Sequence, residues 1–159
     1  VNVQPGDSVL EIGTGSGFIT ACLAHLGGVV TSYEIRPTLS KRAAERLNAL
    51  NVSNVELVAG DGLHASLAPN SFKVIAVTGA LPSYPTYLED LLAPGGRLFV
   101  VVGDGPAMQA KLIERTDTHD WTTVSLFETE LAPLVHGALP PHFSFYLNET
   151  SCGALASKT

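Results

Sequence analysis

Residues 9–18 read VLEIGTGSGF, from Val9 to Phe18: a short, mostly apolar run that breaks into glycine at positions 13, 15 and 17. Such a run, followed at once by helix-forming residues, reads as a buried strand that turns into a helix. Glycine carries no side chain to hold a ligand away from the backbone, and the start of a helix presents unpaired N–H groups. Gly13, Gly15 and Gly17 therefore mark a place where a polar ligand approaches the main chain.

Working outward, strand and helix alternate. The first strand, residues 8–12, follows the turn Pro5-Gly6-Asp7. Residues 18–26 form an apolar helix, with Cys22 in its core face, and Gly27-Gly28 end it as a C-cap does. Residues 29–34 are a second strand. Pro37 opens a helix that runs to about Leu50, with Leu39, Ala43, Leu47 and Leu50 on one face. Residues 55–59 and 72–78 are the next strands, and residues 84–92 a short helix stopped by Ala93-Pro94-Gly95-Gly96. Residues 97–102 are a fifth strand. Strands that read as near-continuous apolar runs, separated by helices, specify a parallel sheet covered on both faces, the doubly wound α/β class. Beyond Gly103-Asp104-Gly105-Pro106 the pattern changes. Residues 111–115 and 121–128 read as a hairpin added to the sheet edge; a helix over 106–114 is the alternative. Residues 143–147 are a last strand or an extended tail. The division is one domain over 1–148 and a polar tail over 149–159.

Composition narrows the partners. A chain of 159 residues builds one sizeable core. Charged residues are 15%, against a usual ~25%, and mean hydropathy is +0.24. Either the surface is partly covered in the complete protein or the domain is simply rich in apolar residues. Net charge is −6, and the densest basic set, Arg36, Lys41, Arg42 and Arg46, is interleaved with Glu45 as on a solvated helix face. That disfavours nucleic acid. Cys22 and Cys152 form no disulfide framework or C-x-x-C pair. No apolar run reaches the ~18 residues of a membrane span, and no signal peptide is recognisable, so a cytoplasmic protein is expected. The chain starts at Val1, one turn before a strand, and is expected to be a fragment. His25, His64, His119, His136 and His142 are scattered without metal-ligand spacing, so no metal is expected. Ser16 has no nucleophile elbow around it. Nothing in the sequence assigns an oligomeric state.

Two ligands suit a glycine turn at the carboxyl end of a strand: a dinucleotide and S-adenosylmethionine. The dinucleotide fingerprint needs a small residue where Phe18 stands, which argues for the second. Glu34 ends the second strand about 20 residues beyond the glycines, where a carboxylate accepts from both hydroxyls of a ribose. Asp61, in VAGDGL, follows the third strand and suits an adenine amino group, with Gly62 and Leu63 bordering the ring. Glu11 points from the first strand towards the ligand end, to anchor either the loop or the amino group of a methionine moiety. In TGALPSYP, after the fourth strand, Thr78, Gly79 and Pro82 mark a turn leaving the sheet, where a methyl acceptor would approach.

These segments, VLEIGTGSGF, YEI, VAGDGL, VTGALP and LLAPGGRLFVVVGDG, stand in the order and spacing of a class I S-adenosylmethionine-dependent methyltransferase. More narrowly, with the later LFETELAPLV, the chain resembles the protein-L-isoaspartate O-methyltransferase family from about Val3 to Val135. The resemblance implies a doubly wound, mostly parallel, seven-stranded Rossmann-like sheet with an antiparallel C-terminal addition, the order of the last two strands being open. It implies that Glu11, Gly13, Thr14, Gly15 and Gly17 hold the methionine end, that Glu34 and Ile35 hold the ribose, and that Asp61, Gly62 and Leu63 frame the adenine. Thr78 would touch both cofactor and acceptor, and Gly79 and Pro82 would border the acceptor. The implied reaction is methyl transfer to the free carboxylate of L-isoaspartyl residues in damaged proteins, with a protein or peptide as partner. No catalytic side chain is expected, since a carboxylate is already ionised at neutral pH. Family members carry a helical segment with a Ser/Thr-containing loop before the first strand, and many have alanine where Gly79 stands. The alternatives are a methyltransferase of the same lineage with a small-molecule or tRNA acceptor, and a cofactor-binding module without turnover.

Overall fold

The computed structural model describes residues 1–117 and 120–137. The described residues form ten elements in the anticipated order: β1 (Ser8–Ile12), α1 (Phe18–His25), β2 (Val29–Glu34), α2 (Pro37–Ala49), β3 (Val55–Ala59), β4 (Phe72–Leu81), α3 (Tyr87–Leu91), β5 (Leu92–Val102), β6 (Met108–Arg115) and β7 (Trp121–Thr129). The strands form a single sheet of order β3-β2-β1-β4-β5-β6-β7. β1 to β5 are parallel; β6 and β7 run antiparallel to their neighbours. The last two strands thus lie in chain order at the edge, as a hairpin. The helix considered over 106–114 does not form, because that stretch pairs with strands on both sides.

Strand alternation sends side chains to two separate cores. Leu10 and Ile12 of β1 join Ile75, Val77, Leu98 and Ile113 on one face, under Leu88 and Leu91 of α3. Val9, with Val30, Val74 and Ala76, packs on the other face against Leu23 and Ala24 of α1. Both faces are covered, as near-continuous apolar strands require.

Several expectations are corrected. Cys22 is exposed, because α1 turns Leu23 and Ala24 to the sheet instead. Leu50 lies past the end of α2 and is 65% exposed; Ala43 and Leu47 carry the buried face. The fourth strand does not end at Thr78. Ala76 pairs with Phe99 but Ala80 pairs with Val101, so Thr78 and Gly79 sit in a bulge and the strand resumes to Leu81. Bulges of this kind re-aim side chains beside functional sites. The fifth strand begins earlier than Arg97: Phe72 pairs with Leu92 and Val74 with Arg97, leaving residues 93–96 looped out of the ladder. α3 is correspondingly short. The expectations for residues 143–147 and for the tail 149–159 lie outside the described residues, as do His119, His142 and Cys152.

Candidate functional site

The order reverses between β1 and β4, because β2 follows β1 on one side and β4 adds on the other. In open α/β sheets this switch point opens a crevice at the carboxyl ends of the strands. A cavity of about 180 Å³ lies there. Gly13 and Gly15 line it after β1, Glu34 and Ile35 after β2, Asp61, Gly62 and Leu63 after β3, and Thr78 and Gly79 from the β4 bulge.

The turn after β1 is built from positive-φ glycines: Gly13 at 105°, Gly15 at 53° and Gly17 at 81°. Gly13 is also sterically required. A Cβ there would stand 2.9 Å from Oγ1 of Thr78, whose hydroxyl donates to the Gly13 carbonyl at 2.7 Å. Gly17 serves packing: a Cβ on it would meet the Ala43 side chain at 3.2 Å, so α1 and α2 meet closely here. Phe18, by contrast, is 68% exposed. The residue that must be small for close packing is Gly17, so an aromatic at Phe18 carries less weight against a dinucleotide than its spacing suggested.

Glu34 is nearly buried and is held on both oxygens: Oε2 accepts from the Gly15 amide at 2.8 Å and Oε1 from the Arg36 amide at 3.0 Å. Asp61 accepts from the Leu63 amide at 3.0 Å. Its Oδ2 also accepts from Nδ1 of His64 at 2.8 Å and Nδ1 of His136 at 2.9 Å. Burial raises the Asp61 pKa, but the hydrogen bonds from His136, His64 and Leu63 outweigh it and hold the carboxyl below its usual value. The Tyr87 hydroxyl donates to the Leu63 carbonyl at 2.7 Å and so ties α3 to the same loop.

Glu11, Thr14 and Gly17 stand behind the cavity rather than in its wall. Glu11 is fully buried; Oε2 accepts from Thr20 at 2.5 Å and from Ser32 at 2.6 Å, and Thr14 shares a hydrogen bond with Ser32 at 2.5 Å. This chain of hydroxyls ties β1, β2, α1 and the turn together. Burial pushes the Glu11 carboxyl up to about 7, against the hydrogen bonds from Ser32 and Thr20 and with a further upward push from the Glu34 charge. Glu11 thus anchors the loop. Pro82 also lies outside the cavity wall; a Cβ on Gly137 would meet its ring at 2.9 Å.

One wall escapes the sequence reading. Beyond β7 the chain returns to the centre of the sheet, where Pro133 bridges to Ala80. The Ala80 amide donates to the Ala132 carbonyl and the Leu134 amide to the Ala80 carbonyl, both at 2.9 Å. Residues 132–135 line the cavity. A Cβ on Gly79 would lie 2.6 Å from the Leu134 side chain, so the missing methyl at Gly79 is filled by Leu134. His136 follows and reaches Asp61, 75 residues away in sequence. No spacing pattern could have joined them.

Comparison with known proteins agrees with this architecture. A solved protein-L-isoaspartate O-methyltransferase structure superposes with a TM-score of 0.74 at 27% identity, over 84% of this chain and 44% of that one. A second structure, of an S-adenosylmethionine-dependent methyltransferase from Thiobacillus denitrificans in complex with S-adenosylhomocysteine, matches with a TM-score of 0.55 at 26% identity, over 62% of this chain and 43% of that one. The fold is that of the S-adenosylmethionine-dependent methyltransferases. The family model for protein-L-isoaspartate(D-aspartate) O-methyltransferase matches residues 1–138. Curated protein-L-isoaspartate O-methyltransferases are similar over most of this chain: one from Ectopseudomonas mendocina is 44% identical over 135 residues, and one from Anaeromyxobacter dehalogenans 40% over 143. The chain belongs to the protein-L-isoaspartate(D-aspartate) O-methyltransferase family. These matches take in 85% and 89% of this chain, and 64% and 68% of the relatives' lengths.

Proposed function

We propose that the protein transfers a methyl group from S-adenosylmethionine to the free carboxylate of L-isoaspartyl residues in damaged proteins. The observation that carries this reading is the convergence of the glycine turn, Glu34 and Asp61 on one cavity, in a chain of this family.

The residues suit the cofactor. A carboxylate offers about four acceptor positions; backbone amides take two of those on Glu34, and the rest serve the two ribose hydroxyls. Ile35 borders the same sugar. Asp61 accepts from the adenine amino group beside Gly62 and Leu63. Gly13 and Gly15 offer bare backbone to the methionine end, while Glu11, Thr14 and Gly17 hold the turn from behind. When bound, the cofactor supplies an electrophilic methyl group on a sulfonium, with a neutral thioether as leaving group.

The chain's own task is alignment and the exclusion of water. The acceptor carboxyl, with a pKa near ~4, is ionised at about pH 7 and needs no base. Holding it in line is worth up to ~7–11 kcal/mol. Thr78 and Gly79 border its approach, with Pro82 outside them, and Leu134 shields the site from solvent. No described helix is long and apolar enough to cross a membrane, and the net charge of −6 opposes a nucleic-acid acceptor. The reading places the protein in the cytoplasm with protein and peptide substrates.

The test offers labelled S-adenosylmethionine to the full-length protein in the presence of an isoaspartyl peptide and its aspartyl twin. Ester on the isoaspartyl peptide alone supports the reading. Tight S-adenosylhomocysteine binding with no ester on either peptide overturns it in favour of another acceptor, or of a binding module.

A further inference from the structure

The imidazoles of His64 and His136 close on one oxygen of Asp61, a residue that lines the cavity. Their Nδ1 atoms lie 2.8 Å and 2.9 Å from Oδ2 of Asp61. The three donor groups lie within 4.8 Å of one another. The rings meet edge to face, with centroids 6.2 Å apart. The side chains of His64 and His136 are 67% and 61% exposed and that of Asp61 23%, so an ion can reach all three and keep water on its open side. The backbone of His136 is held at a φ of 64°, a conformation that non-glycine residues adopt rarely.

Two imidazole nitrogens and one carboxylate oxygen are the donors of a divalent transition ion. Calcium and magnesium take oxygen sets instead. In a tetrahedral zinc site with bonds near 2.0–2.1 Å, neighbouring donor atoms stand about 3.3 Å apart. Each nitrogen moves back from Oδ2 by about half an ångström, and the two nitrogens close to the same spacing from within 4.8 Å. Each imidazole then turns its Nδ1 lone pair to the ion and carries its remaining proton on Nε2.

We propose that Asp61, His64 and His136 form a binding site for a divalent transition ion of the zinc type, and that the bound ion pins the 132–137 strap across the cavity in competition with the cofactor. The competition rests on the adenine role of Asp61; the ion site does not. Oδ1 already accepts from the Leu63 amide, and an ion on Oδ2 draws electron density from the acceptor position left for the adenine amino group. The ion would also fasten the strap, through His136, to the loop after β3. Zinc would thereby shut the site reversibly.

Calorimetry with zinc chloride on the metal-stripped protein tests the site. One equivalent should bind, and His64→Ala and His136→Ala should each weaken it by more than roughly tenfold. Binding as tight in both variants as in the parent overturns the site. The second measurement titrates S-adenosylhomocysteine with and without saturating zinc. At zinc just sufficient to saturate the parent, that binding should weaken by more than roughly tenfold in the parent and by markedly less in His136→Ala. Zinc that binds through the histidines without affecting S-adenosylhomocysteine overturns the competition. Asp61→Ala separates the two ideas: unchanged S-adenosylhomocysteine affinity without zinc removes the adenine role, whatever zinc does.

Discussion

The amide of Gly15 donates to Oε2 of Glu34 at 2.8 Å. The backbone turn that would face the methionine end and the carboxylate that would face the ribose are therefore mechanically one piece. A change at either residue is felt by the other.

Glu34→Ala removes both the ribose acceptor and the partner of the Gly15 amide. Loss of charge-assisted hydrogen bonds of this kind should weaken S-adenosylhomocysteine binding by more than roughly tenfold. Calorimetry reads it directly, and an unchanged affinity removes the ribose assignment.

Gly15→Val addresses the turn itself. The nearest atom to an added Cβ is the Gly13 carbonyl oxygen at 3.7 Å, so the protein has room, but φ is 53°. A β-branched residue there is strained by about 1–3 kcal/mol. The variant should stay folded by circular dichroism and lose detectable cofactor binding. Retained binding would move the ligand away from this turn.

Gly79→Ala should displace the strap, since the added methyl falls 2.6 Å from Leu134. Overpacking typically costs about 1–3 kcal/mol. Leu134→Ala opens the space, so the double variant should lose less than the two single losses combined. Additive losses in urea unfolding would show that the two residues do not meet.

Glu11 gives the fold a pH dependence. Its pKa rises from the ordinary 4.5 to about 7 in the folded chain. Between these values the unfolded chain has released a proton that the folded chain keeps. Stability therefore falls as pH rises from about 4.5 to 7 and levels above that, a change of roughly 3 kcal/mol. Glu11→Gln should flatten this slope. Unfolding midpoints measured across that range, running parallel in the two proteins, would contradict the assignment.

Much of this was legible in the sequence because local pattern and tertiary role agree. β1, β2 and β3 have the expected bounds since each is a short apolar run closed by turn residues. Glu34 and Asp61 sit at strand ends, so chain order alone brings them to the crevice. The β4 bulge and the strap were not legible. Gly79 reads locally as the end of a strand, and what carries the strand on to Leu81 is pairing with β5 and with Pro133. The contact of His136 with Asp61 depends on the same return of the chain. For Glu11 the sequence leaves open whether it anchors the loop or a methionine amino group; the hydroxyls of Thr20 and Ser32 reach its Oε2 only once α1 lies on the sheet.

The strap also has a meaning in time. The seven described strands lie N-terminal to Ala132, so during synthesis they can pair before this wall of the cavity has left the ribosome. The emerging protein is first a cleft open on the strap side. It gains that side only when residues 132–135 fold back onto Ala80.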